Sequence, residues 1–382
     1  MNLEKKTKTR KTHKTHKKQK THKKQKTHKI HKTHKKQKTH KIHKTRKTKK
    51  IHKTQDKHLT LKQFMKIPYP YRHFEISKDK MFEHFQQLKD YEPLVLNINP
   101  TKIKISKFQN KKYIIFMENY MKNKNLYQIT DYFSHPCRVK CVFNLKEDKS
   151  VYDLFNLNRK RILNYLKNHN KSLTLHNINE YIWKHFRQCT NFNTTVMVSV
   201  LKFFKPQKIL DFSAGWGDRL VGAIACDVDY TGIDPSNCMN PNYHKIIDTL
   251  ASKKSKYRII KDGFENVQLD SKVYDLVFTS PPFFDMEVYE DSESQSIEKF
   301  KSVIKWKEGF LYPSLKKSYK SLKVGGHLGL YITDFKNSSY IQDMKKYVKK
   351  NIKGFKYEQD LHWWDQTNKK TIRTIFVWKK KY

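Results

Sequence analysis

The sequence predicts an α/β protein built on one open, mostly parallel sheet of seven strands, ending in a C-terminal antiparallel hairpin. An N-terminal mixed helical region and a disordered basic tail precede the sheet. Three observations lead to this reading. From about residue 208 onward, strand-like apolar runs alternate with helical patterns, the signature of a sheet wound on both faces. The first run ends in a glycine-bearing turn, and the fourth ends in Pro281 and Pro282. The third observation is charge: 81 Lys+Arg against 35 Asp+Glu leave a formal net charge of +46 over 382 residues, half of it in the first 57. The expected divisions are a tail over 1–57, an accessory region over 58–190 and a sheet domain over 191–382.

The tail is a repeat. From Thr15 to Lys50 a six-residue unit, THKKQK or THKIHK with a degenerate last copy, occurs six times. It has almost no apolar residues, so it cannot bury a face. Its charge suits nonspecific anchoring to nucleic acid by counterion release, nuclear import, or no selected role at all. Its spaced histidines lack a fold that could set metal geometry. The overall excess of positive charge implies a polyanionic partner.

The aromatic content, 13%, shows that the remainder buries a core. No run of about 18 apolar residues suggests a membrane span. The N-terminus lacks the apolar stretch of a secretory signal. An intracellular setting follows as an expectation: cytoplasm, nucleus or virion. Five cysteines, few and odd in number, argue against a disulfide-stapled fold. His135-Pro136-Cys137 and Cys141 have no second ligand pair at zinc spacing, so Cys137 and Cys141 read as packed or loop cysteines.

Over 59–190 there is no glycine. Lys80–Lys89 and Val151–Asn168 read as helices, and Lys112–Met117 reads as a strand. In the sheet domain the strands are Lys208–Phe212, Tyr230–Asp234, Tyr257–Lys261, Tyr274–Thr279 and His327–Ile332. Helices lie over Asp218–Ala225, Tyr243–Ala251 and Phe300–Leu322. Phe355–Leu361 and Thr371–Trp378, joined by a polar turn at Gln366–Lys370, form the hairpin.

The turn after the first strand reads Asp211-Phe212-Ser213-Ala214-Gly215-Trp216-Gly217-Asp218. Glycines at a strand's carboxyl end let a ligand approach the backbone. The second strand ends at Asp234, placed to accept both hydroxyls of a ribose, so an adenosine-containing cofactor is expected. Two departures separate it from a dinucleotide: no glycine stands three after Gly217, and Asp218 occupies the helix start where a pyrophosphate would sit. A carboxylate there suits a cofactor bearing an ammonium and a sulfonium, such as S-adenosyl-L-methionine.

The fourth strand ends in Ser280-Pro281-Pro282-Phe283. Two prolines stop the sheet pairing and leave carbonyls free to accept hydrogen bonds. Those acceptors, a serine oxygen and an aromatic ring suit an exocyclic amine on a planar base. The bland alternative is a strand-ending turn carrying two core phenylalanines.

These stretches resemble the class I S-adenosylmethionine-dependent methyltransferases, a Rossmann-like group, and within them the amino-methyltransferases of nucleic acids. The Ser-Pro-Pro-Phe form is most similar to DNA cytosine-N4 enzymes; adenine-N6 enzymes more often begin with Asp or Asn. The pattern of Ile129-Thr130-Asp131-Tyr132-Phe133 with Thr279-Ser280-Pro281-Pro282-Phe283-Phe284-Asp285 is similar to methylases of phages and large DNA viruses. The resemblance implies that Asp234 holds the ribose, and that the backbone of Ser213, Gly215 and Gly217 passes the methionine portion. It also implies that Asp211 helps hold the ammonium, directly or through water, that Asp262 contacts the adenine amine, and that Asn193 and Thr194 close over the methionine end. Ser280 and Pro281 would orient the target amine, Pro282 would stiffen the turn and Phe283 would stack on the flipped base. Phe212 stands where the family more often has proline, which should alter packing and not cofactor choice. No general base is needed, because the attacking amine becomes more acidic as it is methylated. The absence of a cysteine nucleophile near a proline argues against cytosine-C5 methylation.

Three functions remain: a DNA amino-methyltransferase, favoured; an RNA base amino-methyltransferase; and a nucleic-acid-binding protein keeping an inactive methyltransferase fold. Protein glutamine methylases share such a turn but have little use for so basic a domain.

Overall fold

The computed structural model describes residues 58–71, 76–98, 113–143, 149–290, 292–334, 339–365 and 372–382. The basic repeat and the Gln366–Lys370 turn expected from the sequence lie outside them. One compact unit comprises 60–173 and 177–382 and carries the whole sheet.

The strands are β1 (Leu94–Ile98), β2 (Tyr113–Glu118), β3 (Lys208–Asp211), β4 (Asp229–Ile233), β5 (Tyr257–Ile260), β6 (Tyr274–Thr279), β7 (Leu322–Tyr331), β8 (Phe355–Asp365) and β9 (Ile372–Lys380). Their order across the sheet is β1-β2-β8-β9-β7-β6-β3-β4-β5. Five pairings are parallel and three antiparallel. The sheet thus has nine strands where seven were expected. The additional pair comes from the accessory region. β2 docks parallel on the outer edge of β8, pairing Phe116 with Trp363, and β1 caps it in antiparallel register. The apolar run of β2 marked it as a strand, but only a partner edge could assign it to this sheet.

Chain order reverses direction between β3 and β6, which pair Ile209 with Leu276 and Leu210 with Val277. Alternate residues supply two cores. Ile209, Leu276 and Phe278 belong to one; Leu210 and Val277 belong to the other. Both faces are therefore covered, as continuous apolar strands require.

Two expected helices are interrupted. Val151–Asn168 is two helices, Val151–Leu157 and Arg159–Asn168. At the break the Asn158 side chain donates to the Leu154 carbonyl at 2.8 Å, the local competition that disfavours asparagine in helix interiors. Within Phe300–Leu322 the chain forms Val303–Trp306, a wide π turn over Lys307–Leu311, then Tyr312–Ser321. Pro313 lacks an N–H and falls just after the π turn, at a helix start where it costs no bond.

Candidate active site at the switch point

The carboxyl ends of β3 and β6 are neighbours, so the turns they feed open into one crevice. Asp211, the last residue of β3, is fully buried. Four donors converge on its carboxylate: Thr279 Oγ1 at 2.6 Å, Arg219 Nε at 2.8 Å, the Tyr230 hydroxyl at 2.8 Å and the Ser213 N–H at 3.3 Å. Thr279 ends β6, so its bond to Asp211 ties the glycine turn to the Pro-Pro turn. Burial beside Asp211 holds the Tyr230 phenol well above its ordinary range and keeps it a donor. The Arg219 guanidinium also donates to the Ser213 carbonyl and lies over the Phe192 ring, 5.3 Å from its centroid. With every near donor supplied by the protein, Asp211 acts as the knot of the turn.

Gly215 has φ +59° and Gly217 φ +92°, backbone that favours glycine. A Cβ at Gly217 would meet Ile246 Cδ1 at 2.8 Å. Asp234 is half-buried one residue beyond β4. It accepts the Gly215 N–H at 2.8 Å on Oδ2 and the Ser236 N–H at 3.0 Å on Oδ1. Each carboxylate oxygen keeps acceptor capacity, which fits a pair of vicinal hydroxyls. Burial pushes its carboxyl up to about 6.

Asp218 begins the Asp218–Ala225 helix directly after Gly217, but it is buried and accepts from the Asn191 side chain at 3.2 Å. Burial, with Asp131 adding to it, pushes its carboxyl up to about 7. Its repulsion of a diphosphate is softened accordingly. The obstacle that remains is the missing pyrophosphate glycine.

Ser280 and Phe283 are half-buried and Pro281 is buried. The Phe283 ring meets Tyr331 edge-on at 5.7 Å, and Tyr331 lies 4.7 Å from Trp363. Beyond Phe283 the chain crosses the crevice. Tyr289 packs on Trp216 of the glycine turn at 5.8 Å. Glu290 accepts from Ser236 Oγ at 3.1 Å and from the N–H groups of Asn237 and Cys238 at 3.0 and 3.3 Å. Glu287, on the same loop, is pushed up to about 7 by burial.

Three expected site residues are placed differently from the rest. Asp262 is exposed and closes its own turn, accepting from the Gly263 N–H at 2.7 Å and Asn266 at 2.8 Å. The Thr194 hydroxyl is buried and donates to the Leu126 carbonyl at 3.1 Å. Asn193 caps the Thr194–Phe204 helix through its backbone alone. Phe212 stacks on Phe264 at 4.6 Å, a packing role. The sequence reading missed Arg219, Thr279 and Tyr230 as partners of Asp211. Arg219 directly follows the quoted turn, but the path of that turn back over β3 was needed to see what it faces.

Cys137 and Cys141 are not merely packed. Cys137 is bonded to Cys238 and Cys141 to Cys189, leaving Cys226 free. Distances of 101 and 48 residues along the chain hid both pairings. Among the described residues no group of three metal-ligating side chains is gathered, and no helix is long and apolar enough to cross a membrane.

The chain matches no protein-family profile and no curated protein. Similar solved structures include TrmN from Thermus thermophilus, 14% identical, TM-score 0.36, covering 49% of this chain and 48% of that one. This chain therefore spans about half the length of the Thermus protein. A putative rRNA methylase from Clostridium thermocellum is 15% identical, TM-score 0.35, covering 51% and 99%. A Burkholderia thailandensis 1,6-didemethyltoxoflavin-N1-methyltransferase, solved with S-adenosylhomocysteine bound, is 8% identical, TM-score 0.35, covering 50% and 78%.

Proposed function

We propose that this chain is an S-adenosyl-L-methionine-dependent methyltransferase acting on an exocyclic amine of a nucleic-acid base, in DNA, with cytosine N4 ahead of adenine N6. The observation that carries the reading is the convergence of the glycine turn, Asp234 and Ser280-Pro281-Pro282-Phe283 on one crevice, with the Asp211–Thr279 bond holding two of its walls together. When bound, the cofactor supplies an electrophilic methyl group. Asp234 accepts its ribose hydroxyls, and the Gly215–Gly217 backbone leaves room for its methionine portion. Ser280 and the Pro281 carbonyl accept from the target amine and aim its lone pair, and Phe283 stacks on the extruded base. The contribution to rate is alignment and charge placement. Asp211, Thr279 and Arg219 hold the two turns in register.

A second reading, an RNA base amine as target, is favoured by the strong positive charge and by the Pro-Pro-Phe turn, which RNA enzymes share. Incubation with methyl-labelled cofactor and separate DNA and RNA pools, followed by nucleoside analysis, decides between them. Label in N4-methylcytosine from DNA supports the first reading and label only from RNA the second. Cofactor binding without label in either pool points to another acceptor, and no cofactor binding overturns the reading.

A further inference from the structure

The short segment 137–142, at the end of the Tyr120–Arg138 helix, is tied to the loop after Asp234, to the chain at Cys189 and to the loop beyond Phe283. Cys137 is bonded to Cys238, four residues beyond Asp234, with Cα atoms 5.9 Å apart. Arg138 is buried. It donates from Nη1 to the Cys189 carbonyl at 2.9 Å and from Nη2 to Asp131 at 2.6 Å. Asn191 in turn donates to both Asp131 and Asp218, at 3.3 and 3.2 Å, linking this cluster to the helix that follows the glycine turn. Cys141 is bonded to Cys189, with Cα atoms 6.2 Å apart. Val142 exchanges both backbone hydrogen bonds with Val288 of the loop beyond Phe283, at 2.9 and 2.8 Å.

We propose that this segment is a positioning clamp for the crevice, locked by its two disulfides and released by a dithiol reductant. The proposal rests on the reading of the crevice as the cofactor site. The remaining ties are hydrogen bonds and the Arg138–Asp131 ion pair, which water can solvate once the segment moves; the two bridges cannot be replaced that way. They join the Asp234 loop and the chain at Cys189 to one helix end, so their loss frees both from it at once. Cys137, Cys141 and Cys189 are buried, whereas Cys238 is half-buried, so a reductant reaches the Cys137–Cys238 bridge first. In each reduction one S–S bond breaks and two S–H bonds form. The bridge takes up two electrons and two protons, and the dithiol is oxidised to its own disulfide. An oxidising compartment therefore keeps the clamp shut and a reducing one opens it.

The test uses the full chain purified without reductant and after treatment with dithiothreitol. Thiol titration in denaturant should count one free thiol, Cys226, in the first and five in the second. At a temperature where both forms are folded, S-adenosylhomocysteine should bind the reduced form about tenfold more weakly or worse. Amide hydrogen exchange over 234–240 and 283–290 should quicken by about tenfold or more, in keeping with local opening. Cys238→Ser should reproduce the loosening without reductant, and Cys226→Ser should not. A disulfide that only stabilises the fold would lower Tm while leaving affinity and local exchange below Tm unchanged, and that outcome overturns the clamp. Five thiols in the unreduced protein overturn it as well. Quickened exchange with no ligand bound by either form supports the clamp and overturns the cofactor reading instead.

Discussion

Replacing Asp211 with alanine should unfold much of this protein's margin of stability. The carboxylate is fully buried and faces Arg219, itself only 4% exposed, at 2.8 Å. Removing it takes from a buried guanidinium its hydrogen-bonded counter-charge, a change that costs about 3–5 kcal/mol in comparable buried pairs. Tyr230 and Thr279 lose their acceptor at the same stroke, and stranded buried donors cost about 1–3 kcal/mol each. These costs share one site and do not add, so a loss of at least about 4 kcal/mol is expected, against a typical domain stability of about 5–15 kcal/mol. Thr279→Val removes a single donor and should cost about 1 kcal/mol. Arg219→Met in the Asp211→Ala background should recover part of the loss, because no buried charge is then left alone. Urea unfolding followed by tryptophan fluorescence reads all four proteins. An Asp211→Ala variant within about 1 kcal/mol of the parent, or a double variant no better than the single one, would refute the view of Asp211 as the knot of the site.

Asp234→Ala should weaken S-adenosylhomocysteine binding by about 2 kcal/mol or more, since the ribose hydroxyls lose a charged acceptor; unchanged affinity by calorimetry in a folded variant counts against the assignment. Phe283→Ala should keep cofactor affinity and Tm but lose most turnover, while Phe283→Trp keeps much of it; a loss of about 3–5 kcal/mol of stability in the alanine variant would mark Phe283 as core instead. Asp218 and Glu287, both pushed up to about 7, and Asp234, pushed up to about 6, are raised by burial above the ordinary carboxyl value. Groups raised in this way favour the folded state at low pH and lose that contribution as pH rises through their folded values. Tm should therefore fall between about pH 5 and about pH 8, and Asp218→Asn should flatten the slope. Deleting residues 1–57, which carry half the net charge, should leave methyl transfer to short substrates intact and reduce the salt dependence of nonspecific DNA binding; an unchanged log–log slope removes the anchoring role.

Local pattern carried much of this molecule. The periodicity of 208–211, 229–233, 257–260 and 274–279 set the parallel strands within a residue or two, because strands buried on both faces must be continuously apolar. The glycines at 215 and 217, Asp234 at the next strand end and the paired prolines at 281 and 282 were legible because each depends on its own strand's end. Tertiary structure alone decided what these residues face. The edge of β8 recruited β2 and raised the strand count from seven to nine. Register brought Thr279 onto Asp211, and the turn back into the Asp218–Ala225 helix brought Arg219 there. Packing against the Tyr120–Arg138 helix gave the Thr194 hydroxyl the Leu126 carbonyl as partner and set Cys137 beside Cys238. The disulfide partners Cys137 and Cys238 lie 101 residues apart along the chain, and the paired residues of β2 and β8 lie further apart still. Nothing in a run of amino acids encodes such a meeting except the closing of the whole sheet around its two cores.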